Sequence, residues 1–217
     1  MKTWTTKAVA ATALMVVTLL AASGAEATLF TRLNGQAVYD DQANLTWLQD
    51  ANYAQTSGYD DDGLMIWTAA MDWAAGLSIE GVKGWRLPGG PFEYDFVGHE
   101  ATSEMGDLYY NSLGGGRGDL ANIHNANYAL FKNILTNYYW SGVEWSNDPP
   151  DYRFAWAFNM GNGYMWPGMW KTGGMWAWAV HDGDVEASAV PAPGTLALLG
   201  AGLLGWVGVK RARRARA

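Results

Sequence analysis

The stretch Phe154-Ala155-Trp156-Ala157-Phe158-Asn159-Met160-Gly161-Asn162-Gly163-Tyr164-Met165-Trp166-Pro167-Gly168-Met169 reads as two aromatic-rich apolar runs hinged on Asn162-Gly163. Asn-Gly in that setting signals a hairpin, because a tight primed turn needs positive φ at its central residues. Strands are therefore expected over 154–160 and 164–169. Working outward, residues 138–145 and 175–181 share this β-favouring composition and are expected to be strands as well. Nearer the N-terminus, Ala37-Val38-Tyr39-Asp40-Asp41 and Asn44-Leu45-Thr46-Trp47-Leu48 flank a polar turn and predict another strand pair.

Helical spacing is confined to the middle. Leu64, Trp67, Met71 and Ala74-Ala75 recur three and four apart, predicting one buried helix face, with Gly76 and Gly81 as stop signals. Thr102-Ser103-Glu104 is an N-cap candidate for a second helix over 104–113, with Met105, Leu108 and Tyr109 on one side and Gly114 at its end. A short third helix is expected over 129–135. Residues 55–63 and 114–127 read as loops. Strand, helix, helix, then strands predicts an α+β fold and not a βαβ array.

The two ends have a different character. Lys2 and Lys7 precede an uncharged run over 8–22, and Ala25-Glu26-Ala27 follows. A basic start, an apolar stretch and small residues at Ala25 and Ala27 form a secretory signal with cleavage expected after Ala27. The apolar run is too short for a comfortable span, which needs about 20 residues. At the other end Val190-Pro191-Ala192-Pro193-Gly194 introduces an apolar run, and Lys210, Arg211, Arg213, Arg214 and Arg216 close the chain. A helix over 194–209 reaches about 24 Å at a rise of about 1.5 Å per residue, short of a hydrocarbon core of about 30 Å. The cations hold that end in the cytoplasm, leaving the main domain outside. A short helix with several glycines suits a transient anchor in the inner membrane.

Three segments follow: a signal peptide over 1–27, a Trp-rich exported domain over 28–189 and a tail over 190–217. The domain holds 7 Lys plus Arg against 20 Asp plus Glu, a formal charge of −13. Such a surface repels nucleic acid and other polyanions. The chain has no cysteine, which excludes disulfides, thiolate metal sites and cysteine nucleophiles. Eleven of the 13 tryptophans lie in the domain, and each large aromatic buries about 150–250 Å². Stability must come from these rings.

Candidate ligand contacts are few. Trp166 and Trp170 flank Pro167-Gly168 near a loop, and exposed aromatic rings stack on the apolar faces of sugars, so they are the preferred contacts. Trp176 and Trp178 share parity in one strand and are expected inward. Arg86, in Gly84-Trp85-Arg86-Leu87-Pro88, is a strong bidentate donor; the favoured reading has Trp85 and Leu87 inward and Arg86 paired with a carboxylate. Asp60-Asp61-Asp62-Gly63 offers clustered carboxylates to calcium but lacks EF-hand spacing. Trp145, beside Glu144 and ahead of Ser146-Asn147-Asp148, approximates a lectin calcium corner with one residue inserted. No cofactor is expected beyond calcium. His99, His124 and His181 have no ligand-like spacing, and no Gly-x-Ser-x-Gly elbow is present. No catalytic constellation is recognisable.

Pro-x-Pro-Gly-Thr-Leu-Ala-Leu-Leu-Gly, a brief apolar helix and a terminal arginine cluster resemble the PEP-CTERM sorting signal of Gram-negative bacteria, with Ala192 where that signal usually has Glu. The resemblance implies signal peptidase and an exosortase-type enzyme as partners, with delivery to the cell surface or exopolysaccharide. Within residues 33–185, Gly84-Trp85-Arg86-Leu87-Pro88, Ser103-Glu104-Met105, Tyr139-Trp140-Ser141-Gly142 and Trp178-Ala179-Val180 resemble the C-terminal domain of Legionella collagen-like proteins, a domain of unknown function. His181 stands where Arg is common there, and Gly89-Gly90 where Thr or Ser often follows the Pro. This resemblance implies a C-type-lectin-like arrangement of two or three short helices and a small, mostly antiparallel twisted sheet. Formylglycine-generating relatives need paired cysteines, so that chemistry is closed here. The expectation is an exported, non-catalytic module for extracellular polysaccharide; a purely structural matrix protein and a glycan hydrolase are the alternatives.

Overall fold

The computed structural model describes residues 27–91, 102–116, 120–145 and 152–186. Two antiparallel sheets organise it. The first is formed by β1 (Leu29–Arg32), β2 (Ala37–Asp40), β3 (Leu45–Leu48) and β7 (Val180–Asp182), in the order β1-β2-β3-β7. The second holds β4 (Tyr138–Glu144), β5 (Phe154–Asn159) and β6 (Met165–Trp170), in that order. The fold is thus α+β as expected, although the single small sheet is two.

Local chemistry explains the turns. The β2–β3 turn closes on Asp40, a fully buried carboxylate that accepts from the Gln42 and Ala43 N–H groups at 3.0 and 3.1 Å and from the Ser112 hydroxyl. Its charge is tolerated because these donors replace water. The β5–β6 hairpin turns through Asn162-Gly163 as expected, with Gly163 at φ +75° and its N–H bonded to the Asn159 carbonyl at 2.8 Å.

Residues 175–180 tie the sheets together. Met65 and Met175 exchange backbone bonds of 2.9 and 3.1 Å, Trp140 N–H reaches the Trp176 carbonyl at 2.9 Å, and Arg86 and Val180 exchange two bonds of 2.9 Å. Beneath this strap lie Trp47, Trp85, Trp140 and Trp178, all essentially inaccessible. Trp178 meets Trp47 and Phe131 edge-on at 5.4 and 5.3 Å, the arrangement ring quadrupoles favour. Three indole N–H groups end on backbone carbonyls: Trp178 on Leu48 at 2.7 Å, Trp140 on Met65 at 2.8 Å and Trp85 on Val82 at 3.1 Å. The aromatic core expected of a cysteine-free domain is present. Trp176, expected inward with Trp178, is only half-buried.

The helices are α1 (Tyr53–Thr56), α2 (Trp67–Gly76) and α3 (Glu104–Asp107). Ser103 caps α3, its hydroxyl accepting from Gly106 N–H at 2.9 Å, and the chain continues through a π-turn at Leu108–Ser112. Met105, Leu108 and Tyr109 are buried, as expected. Two expectations are corrected. Helix α2 buries Ala70, Trp73 and Ala74, not Leu64 or Ala75, because Met65 is held extended by Met175 and the helix begins only at Trp67. The third helix is a 3-10 turn at Ala126–Leu130; from Phe131 the chain turns extended, and Lys132 N–H bonds to the Gln49 carbonyl at 2.8 Å.

Arg32 of β1 grips Asp184 through two bonds of 2.6 and 2.8 Å, clamping the first strand to the last described residues. Among the described residues no helix is long and apolar enough to cross a membrane. The expected membrane helix over 194–209 and the leader through residue 26 lie outside them.

Candidate functional site

The site candidate grows from one irregularity in the second sheet. Counted outward from the turn, a regular hairpin would place Trp166 and Trp170, four residues apart, on one face. Instead β6 carries an extra residue: Ala157 pairs with Trp166, Ala155 with Met169 and Phe154 with Trp170. Pro167 has no N–H for the ladder, and Gly168 takes φ +77°, the left-handed geometry of a glycine bulge. One extra residue flips everything beyond it. Trp166 therefore stands in the row of Trp140 and Ala157, while Trp170 stands beside Phe154 on the opposite face.

Trp170 gains neighbours by this. Phe154 lies 4.4 Å from it between ring centroids, and Trp145 meets Phe154 edge-on at 5.6 Å. The Arg153 guanidinium covers Trp170 at 4.9 Å. Gly168 lies against the Trp145 ring, within ordinary contact distance of a Cβ placed there, so its positive φ and not crowding is what requires glycine. Trp170 remains 53% exposed and Tyr152 64% exposed. Trp145, Phe154 and Trp170 thus form a continuous aromatic platform anchored at strand ends: Trp145 N–H bonds to the Phe154 carbonyl at 3.1 Å and Lys171 N–H to the Arg153 carbonyl at 2.9 Å. Sequence reasoning named Trp145 and Trp170 separately; it missed Phe154 and Arg153, whose signal was hidden by the bulge.

Trp166 is 51% exposed, away from that platform. On the sheet side opposite Trp170, Lys171 pairs with Glu144 and sits 4.3 Å over the Trp67 ring, whose N–H bonds to the Ser141 carbonyl at 2.8 Å.

Arg86 is placed as the favoured reading had it, with Trp85 and Leu87 buried on either side. Its guanidinium binds both Glu104 oxygens at 2.7 Å, the Leu87 carbonyl at 3.1 Å and Asp182 through Nε and Nη2. All five N–H donors are committed. Glu104 and then Asp182 hold the guanidinium further above its already high range, so Arg86 is a structural cation. In the Asp60-Asp61-Asp62 loop one oxygen of Asp60 accepts from Gly63 N–H at 2.7 Å and one of Asp62 from Leu64 N–H at 2.9 Å. Among the described residues no three His, Asp or Glu side chains come together as a metal cage. Ala27 is buried, its carbonyl accepting from Asn127 at 3.3 Å. Ala25, Pro191, Ala192, Pro193, Gly194 and the five tail cations lie outside the described residues.

Comparison with known proteins bears on the tail. No curated protein and no solved structure matches the chain. Residues 189–214 match the PEP-CTERM protein-sorting motif, and the chain is accordingly an exported protein, handled by an exosortase-type enzyme and held at the membrane on its way to the cell surface.

Proposed function

We propose that the domain over 28–189 is a non-catalytic binding module for extracellular polysaccharide, with Trp145, Phe154 and Trp170 as its stacking face. The observation that carries the reading is Trp170, half-exposed on a rigid strand end with a second aromatic ring and a guanidinium fixed against it. A contiguous aromatic patch open to solvent, unlike a single exposed ring, marks an interaction surface. Export toward the cell surface through the sorting motif brings the domain to where such polymers occur. Native electrophoresis of the exported protein through gels containing neutral polysaccharides tests it. Retardation should be lost in Trp170→Ala and kept in Trp166→Ala, which faces the other side. Equal migration of all three forms in every polymer would leave the aromatic face without a ligand and favour a purely structural matrix protein.

The N-terminus fits export too. Thr28 N–H donates to an Asp41 carboxylate oxygen at 2.9 Å, so cleavage after Ala27 would create an ammonium already opposite a carboxylate. Asp41→Asn should then destabilise the processed chain more than the unprocessed one. Equal thermal shifts in both forms would remove this role.

A further inference from the structure

We propose that a cleft in the first sheet, separate from the aromatic platform, binds a single neutral pyranose unit. The cleft has a volume of about 270 Å³ and is bordered by Asn34, Gln49, Asp50, Tyr53 and Lys132, with the buried Leu48 and Ile79 supplying its apolar part. This lies just below the range of drug-sized ligand pockets, which run from about 300 Å³ upward, and suits one sugar ring.

Its walls are preformed. Gln49 N–H bonds to the Gln36 carbonyl at 2.9 Å, Lys132 N–H to the Gln49 carbonyl at 2.8 Å and Ala51 N–H to the Lys132 carbonyl at 2.9 Å, so three distant segments are stitched edge to edge. Some side chains serve only the wall: Asn34 and Gln36 donate to Glu80 at 3.3 and 2.6 Å. Others are uncommitted. The Gln49 amide, the Tyr53 hydroxyl and the Lys132 ammonium make no hydrogen bond or ion pair within the described structure. Asp50 accepts from Asn52 N–H at 2.9 Å and from the Thr56 hydroxyl at 2.7 Å, one bond per oxygen, which leaves each with a lone pair.

Backbone strain gathers at the same place. Of the five non-glycine residues with positive φ in the described structure, Asn34 at +54° lines the cleft, and Leu33 at +49°, Glu80 at +50° and Asn133 at +54° are each next in sequence to a residue that does. Strain of this kind persists where surrounding structure enforces it, and it concentrates at ligand sites.

The chemistry selects the ligand. A pyranose offers vicinal hydroxyls that both donate and accept, beside an apolar C–H face. Gln49 and Lys132 supply donors, Asp50 supplies acceptors, and Tyr53, Leu48 and Ile79 meet the apolar face. Asp50 in the cleft and Glu80 against its Asn34–Gln36 wall offset the Lys132 cation, and the domain's charge of −13 opposes an acidic sugar.

Saturation-transfer NMR on the full chain in mild detergent tests this with methyl glycosides of glucose, galactose, mannose and N-acetylglucosamine, and with glucuronate. At least one neutral glycoside should bind saturably. Gln49→Ala and Lys132→Ala should each weaken it about tenfold, the scale of one lost ligand contact, without moving the unfolding midpoint. Trp170→Ala should leave this binding unchanged, which separates the cleft from the polysaccharide face. Saturable binding of none of the neutral glycosides, binding indifferent to both cleft substitutions, or a preference for glucuronate would each overturn the proposal.

Discussion

The two sheets spend the same residue type in opposite ways. In the first, Trp47 lies buried against Trp178, and the strand ends are clamped by polar groups, Asp40 at one turn and Arg86 between Glu104 and Asp182 at β7. In the second, Tyr139 and Phe158 are buried near the hairpin turn, yet the far end presents Trp170 to solvent. What separates the two is register. The first sheet pairs residue for residue throughout, whereas both neighbours of β5 shift opposite Trp156. The bulge at Pro167-Gly168 puts Trp170 on the face opposite Trp166, beside Phe154.

Four substitutions can break or sharpen this contrast. Trp178→Ala removes the ring that joins Trp47, Phe131 and Tyr139 and should cost about 3–5 kcal/mol in chemical denaturation. Asp40→Ala strands two N–H groups of the turn and the buried Ser112 hydroxyl and should cost about 2–3 kcal/mol. Arg86→Ala leaves two carboxylates without their partner; because Asp182 is largely exposed, solvent screening limits the loss to about 1–2 kcal/mol. Trp170→Ala should cost less than about 1 kcal/mol, since only Phe154 and Arg153 lose contact. A Trp170 effect as large as that of Trp178 would make it a core ring and end the contrast.

Much of this was legible in the residues. Asn162-Gly163 located the hairpin, Ser103 capped its helix, and the alternation through Gly84–Pro88 sent Trp85 and Leu87 inward and Arg86 to a carboxylate. These rest on local chemistry. Contacts between distant segments were not legible. The edge strand Leu29–Arg32 went unread although Asn34-Gly35, at φ +54° and +83°, turns it back onto β2. Residues 175–181 look like one strand but split their bonds between Met65, Tyr139, Arg86 and Trp47. The opposite facing of Trp166 and Trp170 depends on a single extra residue at Pro167-Gly168, which parity counting cannot see. The cleft near Lys132 joins four segments that share no motif.

The functional account depends on the chain doing its work outside the cell, with the leader and the sorting motif acting as addresses. Intact mass of the native protein from membrane and from extracellular fractions tests that most directly. The membrane form should lack residues 1–27, and the extracellular form should lack the segment after the Pro191-Ala192-Pro193 motif as well. A full-length mass from 1 to 217, recovered in the cytoplasm alone, would contradict it.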